Sequence, residues 1–298
     1  MASWGIVATV KAPEQKVLAF VAHHLAIGAD HIWLYFDDPE APIPDVLTRH
    51  PRVAITRCEA AYWADKKRHE RHQNRQARNA RDAYQRATTD WLTHIDVDEF
   101  LYTPRPVADL LDNVSSDIAV LKFEPFEAMH DPLLPDDIYT ARAFRGALRQ
   151  EHHHLRGQVL GDYQGIVRDG LMSHKVGKVI FRTGIRGLSP RLHSVMKGGT
   201  RLGTPDWHPD LKLLHFHAQD REAWLAALPF RLTRGAYQFR PELQAYLTDA
   251  TPEEVDQFYL GTQVLTATAS GQLQAVGRVI IAELGLRAKV QTLMSGTL

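Results

Sequence analysis

From residue 5 to residue 123, short apolar runs alternate with stretches of helical period, and no other feature limits the fold as much. Residues 5–10, 31–36, 53–57, 91–95 and 118–123 read as strands. Between the first two, residues 14–27 place Val17, Phe20, Val21 and Leu25 on one face of a helix, which Gly28 can end in the left-handed conformation. Further helices are expected up to about residue 50, over 65–87 and over 107–113. Parallel strands need a crossover between them, so the alternation predicts an α/β protein with a mainly parallel sheet flanked by helices. Ligands of such sheets collect at the carboxyl ends of the strands. Asp37 follows the second strand there, and Asp96 the fourth.

Residues 124–174 give no regular pattern, whereas 178–183 and 212–217 read as later strands and 220–228 as a helix. Thr251-Pro252-Glu253-Glu254 joins an N-cap, a proline at the first helical position and a glutamate three residues on, so a helix starts there. The expected division is a catalytic α/β domain over 1–235 and a helical C-terminal extension over 236–298. A hydrophobic fraction of 44% is ample for a core, and a net charge of +0 argues against a protein devoted to nucleic acid. The single cysteine, Cys58, excludes an internal disulfide or a cysteine-built zinc site. No apolar run nears the roughly 20 residues of a membrane span, and the first ten residues show no signal-peptide pattern. A soluble, cytoplasmic protein is expected.

Asp96 and Asp98, one residue apart just past a strand, can aim two carboxylates into one cleft. Paired hard oxygens suit Mg2+ or Mn2+, which keep positions open for phosphate oxygens. The plain alternative is an acidic cluster that merely ends a strand. Asp96-Val97-Asp98-Glu99-Phe100-Leu101 resembles the "DvDEFl" signature of glycosyltransferase family 2-like proteins. Lys11, Glu14, 20–24 (Phe-Val-Ala-His-His), Gly28, His31 and 34–38 (Leu-Tyr-Phe-Asp-Asp) match the N-terminal segment of one branch of them. Ala12-Pro13 and Pro39-Glu40 depart from it.

That resemblance implies a GT-A-type, Rossmann-like fold and a metal-dependent glycosyltransferase, inverting in mechanism. The donor would be a UDP- or GDP-sugar and the acceptor a glycan or a lipid-linked molecule. By the same resemblance Lys11, Glu14 and Asp37 lie near base and ribose, Asp96 meets ribose or metal, and Asp98 is the principal metal ligand. Arg78-Asn79 resembles a donor-site pair on the helix before the acidic motif. His215-Phe216, with Asp220 to Trp224 beyond, is similar to a family segment whose histidine completes the metal site; a structural histidine is the alternative. His193 is a weaker candidate for the acceptor or diphosphate side. The mechanism needs a carboxylate base, for which Glu124 is the first choice, with Glu127 and Asp131 following.

Lys66, Lys67, Arg68, Arg71, Arg75, Arg78, Arg81 and Arg86 crowd the helix expected over 65–87. They read as a solvated face, as a peripheral contact with an anionic membrane or acceptor, or as partners of the donor diphosphate. His152-His153-His154 point different ways and His23 and His24 lie on the first helix, so packing or surface roles are expected for both groups. Two competing readings stand beside the transferase: an aspartyl phosphotransferase using Asp-x-Asp, and a relative that binds nucleotide or sugar without turning it over.

Overall fold

A computed structural model describes residues 1–203 and 206–298 of the chain. The chain opens with β1 (Trp4–Val10), α1 (Glu14–Ala26), β2 (His31–Phe36), α2 (Asp45–Arg49), β3 (Val53–Arg57), α3 (His72–Arg86), β4 (Trp91–His94), β5 (Glu99–Tyr102), α4 (Val107–Asp112) and β6 (Val120–Lys122). Next come β7 (Glu124–Ala128), β8 (Ala143–Gly146) and α5 (Arg156–Leu160), then β9 (Val179–Arg182), β10 (Leu188–Pro190), β11 (Val195–Lys197), β12 (Thr200–Leu202) and β13 (Lys212–His215). The last elements are α6 (Arg221–Thr233), α7 (Pro241–Asp249), α8 (Pro252–Gln263), α9 (Ala267–Ala275), β14 (Val279–Ile281) and α10 (Leu286–Met294). Among the described residues no helix is long and apolar enough to cross a membrane.

The chain forms two compact units, and neither follows the expected break after residue 235. The first comprises Met1–Glu124, Gly177–Leu213 and Gly285–Leu298; the second comprises Pro125–Val176 and Leu214–Leu284. Residues 236–298 are not a separate extension, because α10 packs on α1 in the first unit while β14 pairs with β8 in the second.

In the first unit a six-stranded sheet has the order β3-β2-β1-β4-β9-β6. The β3-β2, β2-β1 and β1-β4 pairs are parallel; β9 runs against both β4 and β6. The sheet is therefore mixed, parallel from β3 through β4, and the later strand β9 separates β4 from β6. Burial on both faces explains the nearly unbroken apolar runs of β1 and β2. At Gly5 any Cβ would come within 2.5 Å of the Trp33 ring, so only glycine lets β1 and β2 approach there. Trp33, Tyr35, Cys58, Trp63, Ala80, Ala83 and Leu92 lie in one buried cluster beneath α3.

Helix α1 ends as the sequence predicts, with Gly28 at φ +94° just past it. The long basic helix is shorter than expected. Residues 65–71 are turn and loop, so Lys66, Lys67, Arg68 and Arg71 stand outside α3. Cations are unfavourable at a helix N-terminus, and the first turn of α3 carries no acid to offset them. The Arg75 side chain instead folds back and binds the His69 and Glu70 carbonyls.

His23 and His24 are core residues, 2% and 0% exposed. His23 Nε2–H donates to the Leu101 carbonyl at 2.9 Å, and its Nδ1 lies 3.2 Å from Lys289 Nζ on α10. His24 Nδ1–H donates to the Phe20 carbonyl, and its Nε2 accepts from the Leu101 amide. Each ring then both donates and accepts, which only neutral imidazole can do. Burial, and next the Lys289 charge, lower the His23 pKa to about 3; burial and the neighbouring His23 hold His24 well below 6.5. The unfolded chain therefore takes up protons first as pH drops below 6.5. Stability from this pair is fully present above that pH and is lost as pH falls toward 3, by on the order of 1 kcal/mol per histidine over the first pH unit. Urea melts at pH 7.5 and 5.5 should show that loss, and equal midpoints would contradict it.

In the second unit β7 and β14 flank β8 in antiparallel pairs. Its core gathers Trp224, Tyr237, Phe258 and Tyr259. Asp220 caps α6 through the Ala223 amide, and Thr251 with Glu254 forms the capping box foreseen for α8. Residues 124–174, unreadable in the sequence, supply β7, β8 and α5. The three consecutive histidines lie in a 3-10 turn, Gln150–Leu155.

Candidate active site at the carboxyl edge of the first sheet

The strand order reverses between β1 and β4, because β2 and β3 extend the sheet to one side and β4 to the other. At such a switch point the two strand exits diverge and leave a crevice. Three acidic residues are found at the strand exits. Asp37 ends β2, its amide bonded to the Val10 carbonyl of β1. Asp96 follows β4, and Asp98 lies in the turn into β5.

Helix α3 reaches this edge with Arg75, Gln76 and Asn79. Arg75 makes a two-pronged pair with Asp37, Nε to Oδ1 and Nη2 to Oδ2, both at 2.6 Å. Burial would raise the Asp37 carboxyl, but the hydrogen bonds and charge of Arg75, with Arg68 and Lys11 behind it, carry it below its ordinary value. Each carboxylate oxygen has two lone-pair directions, so a paired Asp37 can still accept from a ribose hydroxyl. Asn79 is fully buried; its amide donates to Thr9 Oγ1 and its carbonyl accepts from Tyr62 OH, both at 2.9 Å. It supports the β1 exit from below. Arg78, its neighbour, is half-buried, and Lys11 and Glu14 are exposed where β1 passes into α1.

The acidic turn is wired more tightly than a bare Asp-x-Asp. Asp96 Oδ2 accepts from Lys178 Nζ at 2.7 Å, and its other oxygen accepts from the Gln76 amide. The Asp96 main-chain N–H donates to Glu99 Oε2 at 2.7 Å, and the same oxygen lies 3.1 Å from Lys178 Nζ. Lys178 and Glu99 are fully buried, while the Asp96 side chain keeps 30% of its surface. Burial opposes ionisation of Asp96, yet the Lys178 charge, then His94 and His193, drive its carboxyl well below the usual range. His94, on the last residue of β4, is 2% exposed, and burial followed by the Lys178 charge lowers it to about 3. His193 Nδ1–H donates to the Gly177 carbonyl at 2.8 Å, which leaves the lone pair on Nε2, the arrangement a metal-binding histidine adopts.

Glu124 is 4% exposed, with Oε2 2.7 Å from Lys212 Nζ, in the first unit. Glu127 belongs to the second unit, where both its oxygens accept main-chain amides, from Met172 and Ser173 at 2.7 Å. The Arg240 guanidinium binds the carbonyls of the same loop. That pairing makes Glu127 an anchor for residues 171–173. Asp131 is ion-paired with Arg142 on the surface. His215 lies in the second unit among His174 and His217, ring centroids 5.8 and 5.3 Å away, and His217 Nε2 lies 3.0 Å from Tyr237 OH. Strand β13 ends at His215, so His217 is not on it as expected.

Within the first unit α3 thus links Asp37, Asn79 and Asp96 at one strand edge, with Asp98 two residues further on in the turn. Sequence reasoning did not find Gln76, His94 or Lys178, and ranked His193 below His215. Lys178 and His193 carried a signal only in retrospect, since a lone lysine before a strand and a lone histidine in a loop are common. Among the described residues no group of three or more His, Cys, Asp or Glu side chains is arranged to hold a metal.

The sequence model of glycosyltransferase family 92 matches residues 7–184, more than half of the chain and all of this edge from β1 through β9. The chain belongs to glycosyltransferase family 92. That membership agrees with the glycosyltransferase resemblance of the motifs, and it does not single out the family 2-like branch. No curated protein sequence matches the chain. Among solved structures, a CMP:2-keto-3-deoxy-manno-octonic acid synthetase complexed with CTP aligns over 43% of this chain and 54% of its own, at 16% identity and a TM-score of 0.27. HddC from Yersinia pseudotuberculosis aligns over 48% and 68%, at 12% identity and a TM-score of 0.29. The chain spans about half the length of the synthetase it matches. At TM-scores this low neither likeness speaks to fold or function.

Proposed function

We propose that this family 92 chain transfers a sugar from a UDP- or GDP-sugar to a hydroxyl of a glycan or lipid-linked acceptor, at the carboxyl edge of its first sheet. The observation that carries the reading is the acidic turn Asp96–Asp98 at the β1/β4 switch point, within the matched residues. We read the first unit as GT-A-type on the same ground. Lys11, Glu14 and Asp37 receive base and ribose, and Arg78 the diphosphate, with Asn79 supporting them. An inverting displacement forms the bond from acceptor oxygen to anomeric carbon as the bond from that carbon to the diphosphate breaks. Glu124 takes the acceptor proton.

The residues present fit a divalent ion of a particular kind. Mg2+ and Mn2+ at phosphate sites use one or two carboxylates plus substrate oxygens and waters, with no cage of side chains. Asp98, half-buried in its turn, suits that arrangement, with His193 and His94 the histidines near Asp96. A role for His215 at the metal rests on the sequence resemblance. When bound, the ion supplies positive charge to the departing diphosphate. The lone buried Cys58 and the basic stretch 66–71 support a cytoplasmic protein touching an anionic membrane or acceptor.

A thermal-shift series with UDP and GDP, with and without Mn2+, tests the reading. Ligand at about 100 times its dissociation constant adds roughly 2.7 kcal/mol to stability. One nucleotide should raise the melting temperature only with the metal, and no shift with any nucleotide would count against the assignment.

A further inference from the structure

The acidic turn already contains a cation of its own. Lys178 precedes β9, which runs antiparallel to β4 with Thr93 opposite Ile180, so the pairing carries its side chain to the end of β4. There the ammonium lies 2.7 Å from Asp96 and 3.1 Å from Glu99, with no surface exposed. The two carboxylates give this buried ammonium its counter-charge. The other Asp96 oxygen is engaged by Gln76. For Asp96 to ligate a metal, a second cation would have to come up against the buried ammonium, on a carboxylate whose two oxygens are already engaged by Lys178 and Gln76.

We propose that Lys178 is the resident cation of the acidic turn: by occupying Asp96 and Glu99 it keeps a divalent ion from loading onto the free protein. The ion then enters on Asp98, together with the donor diphosphate. This second part rests on the glycosyltransferase reading, whereas the first concerns the metal alone. Lys178 is accordingly a positioning residue. Its removal should do something that loss of a merely structural lysine would not: improve metal binding. Asp96 and Glu99 would face each other's charge without a counter-ion, and a divalent ion is the ready replacement.

Mn2+ titrations without nucleotide, followed by the electron paramagnetic resonance signal of the free ion, test this on the whole chain. Lys178→Met should lower the half-saturating Mn2+ concentration by about 10- to 100-fold, the scale on which neighbours of metal ligands move affinity. Lys178→Arg, which keeps the charge, should leave it at the wild-type value. If circular dichroism shows that Lys178→Met does not fold, the double variant Lys178→Met/Glu99→Gln, equal in net charge to the wild type, should show the gain instead. UDP or GDP should tighten Mn2+ binding to the wild type. No gain in Lys178→Met, or in the double variant where Lys178→Met does not fold, overturns the proposal. A gain in Lys178→Met with no effect of any nucleotide sustains the resident-cation role and sinks the donor reading alone.

Discussion

Asp98→Asn should lower sugar transfer by roughly 10²–10³-fold while leaving the melting temperature within a few degrees of wild type. Asparagine keeps the size of the side chain and removes only its charge. Asp98 is half-buried in the turn between β4 and β5, and an isosteric change there should cost on the order of 1 kcal/mol or less. Metal charge on a departing phosphate is worth several kcal/mol, and each 1.36 kcal/mol is a factor of ten in rate. Losing about 3–4 kcal/mol of it gives the stated range. Asp96→Asn is the less informative variant, since it also strips Lys178 of its nearest counter-charge and disturbs the fold. Turnover of Asp98→Asn within threefold of wild type, measured beside circular dichroism, would remove Asp98 from the site.

Arg75→Met should be strongly destabilising. Both partners of the Arg75–Asp37 pair are nearly buried, with 11% and 8% of their side-chain surfaces exposed. Losing the guanidinium leaves the Asp37 carboxylate buried without its partner and frees the His69 and Glu70 carbonyls that Arg75 also binds. Breaking a buried pair in this way costs about 3–5 kcal/mol, or roughly 10 °C in a domain of this size. Much of that cost is the orphaned charge, so Arg75→Met/Asp37→Asn should recover a large part of it. Calorimetric melting temperatures of the three proteins decide the matter. A single variant within a few degrees of wild type would show that Asp37 is served by other groups.

What the sequence makes legible here is local or periodic. The strands β1 and β2 stand out because burial on both faces demands nearly unbroken apolar runs. Gly28, Asp220 and the Thr251 capping box could be read because each acts within four residues of itself. The acidic turn was legible for the same reason. Its surroundings were not: Gln76 and Lys178 meet Asp96 from 20 and 82 positions away, and only the register of β9 against β4 brings the lysine there. Nothing in the stretch His174 to Phe181 distinguishes Lys178 from Lys175, which stays on the surface with Asp169. The basic helix was overextended because its arginines recur at helical spacing, while the cost of cations at a helix start acts against the period. Glu127 looked like a cleft residue from its place after a strand, and the amides that claim it lie 45 and 46 positions on.

The central claim is that the carboxyl edge of the first sheet transfers sugar with Asp98 as its metal-bearing residue. Release of nucleoside diphosphate from a panel of UDP- and GDP-sugars, with Mn2+ present, measures it most directly in wild type and Asp98→Asn side by side. One donor should be consumed by the wild type, its release should stop on chelation, and Asp98→Asn should fall by the factor given above. Release that is equal in the two proteins, or absent for every donor with glycan and lipid-linked acceptors supplied, would contradict the account.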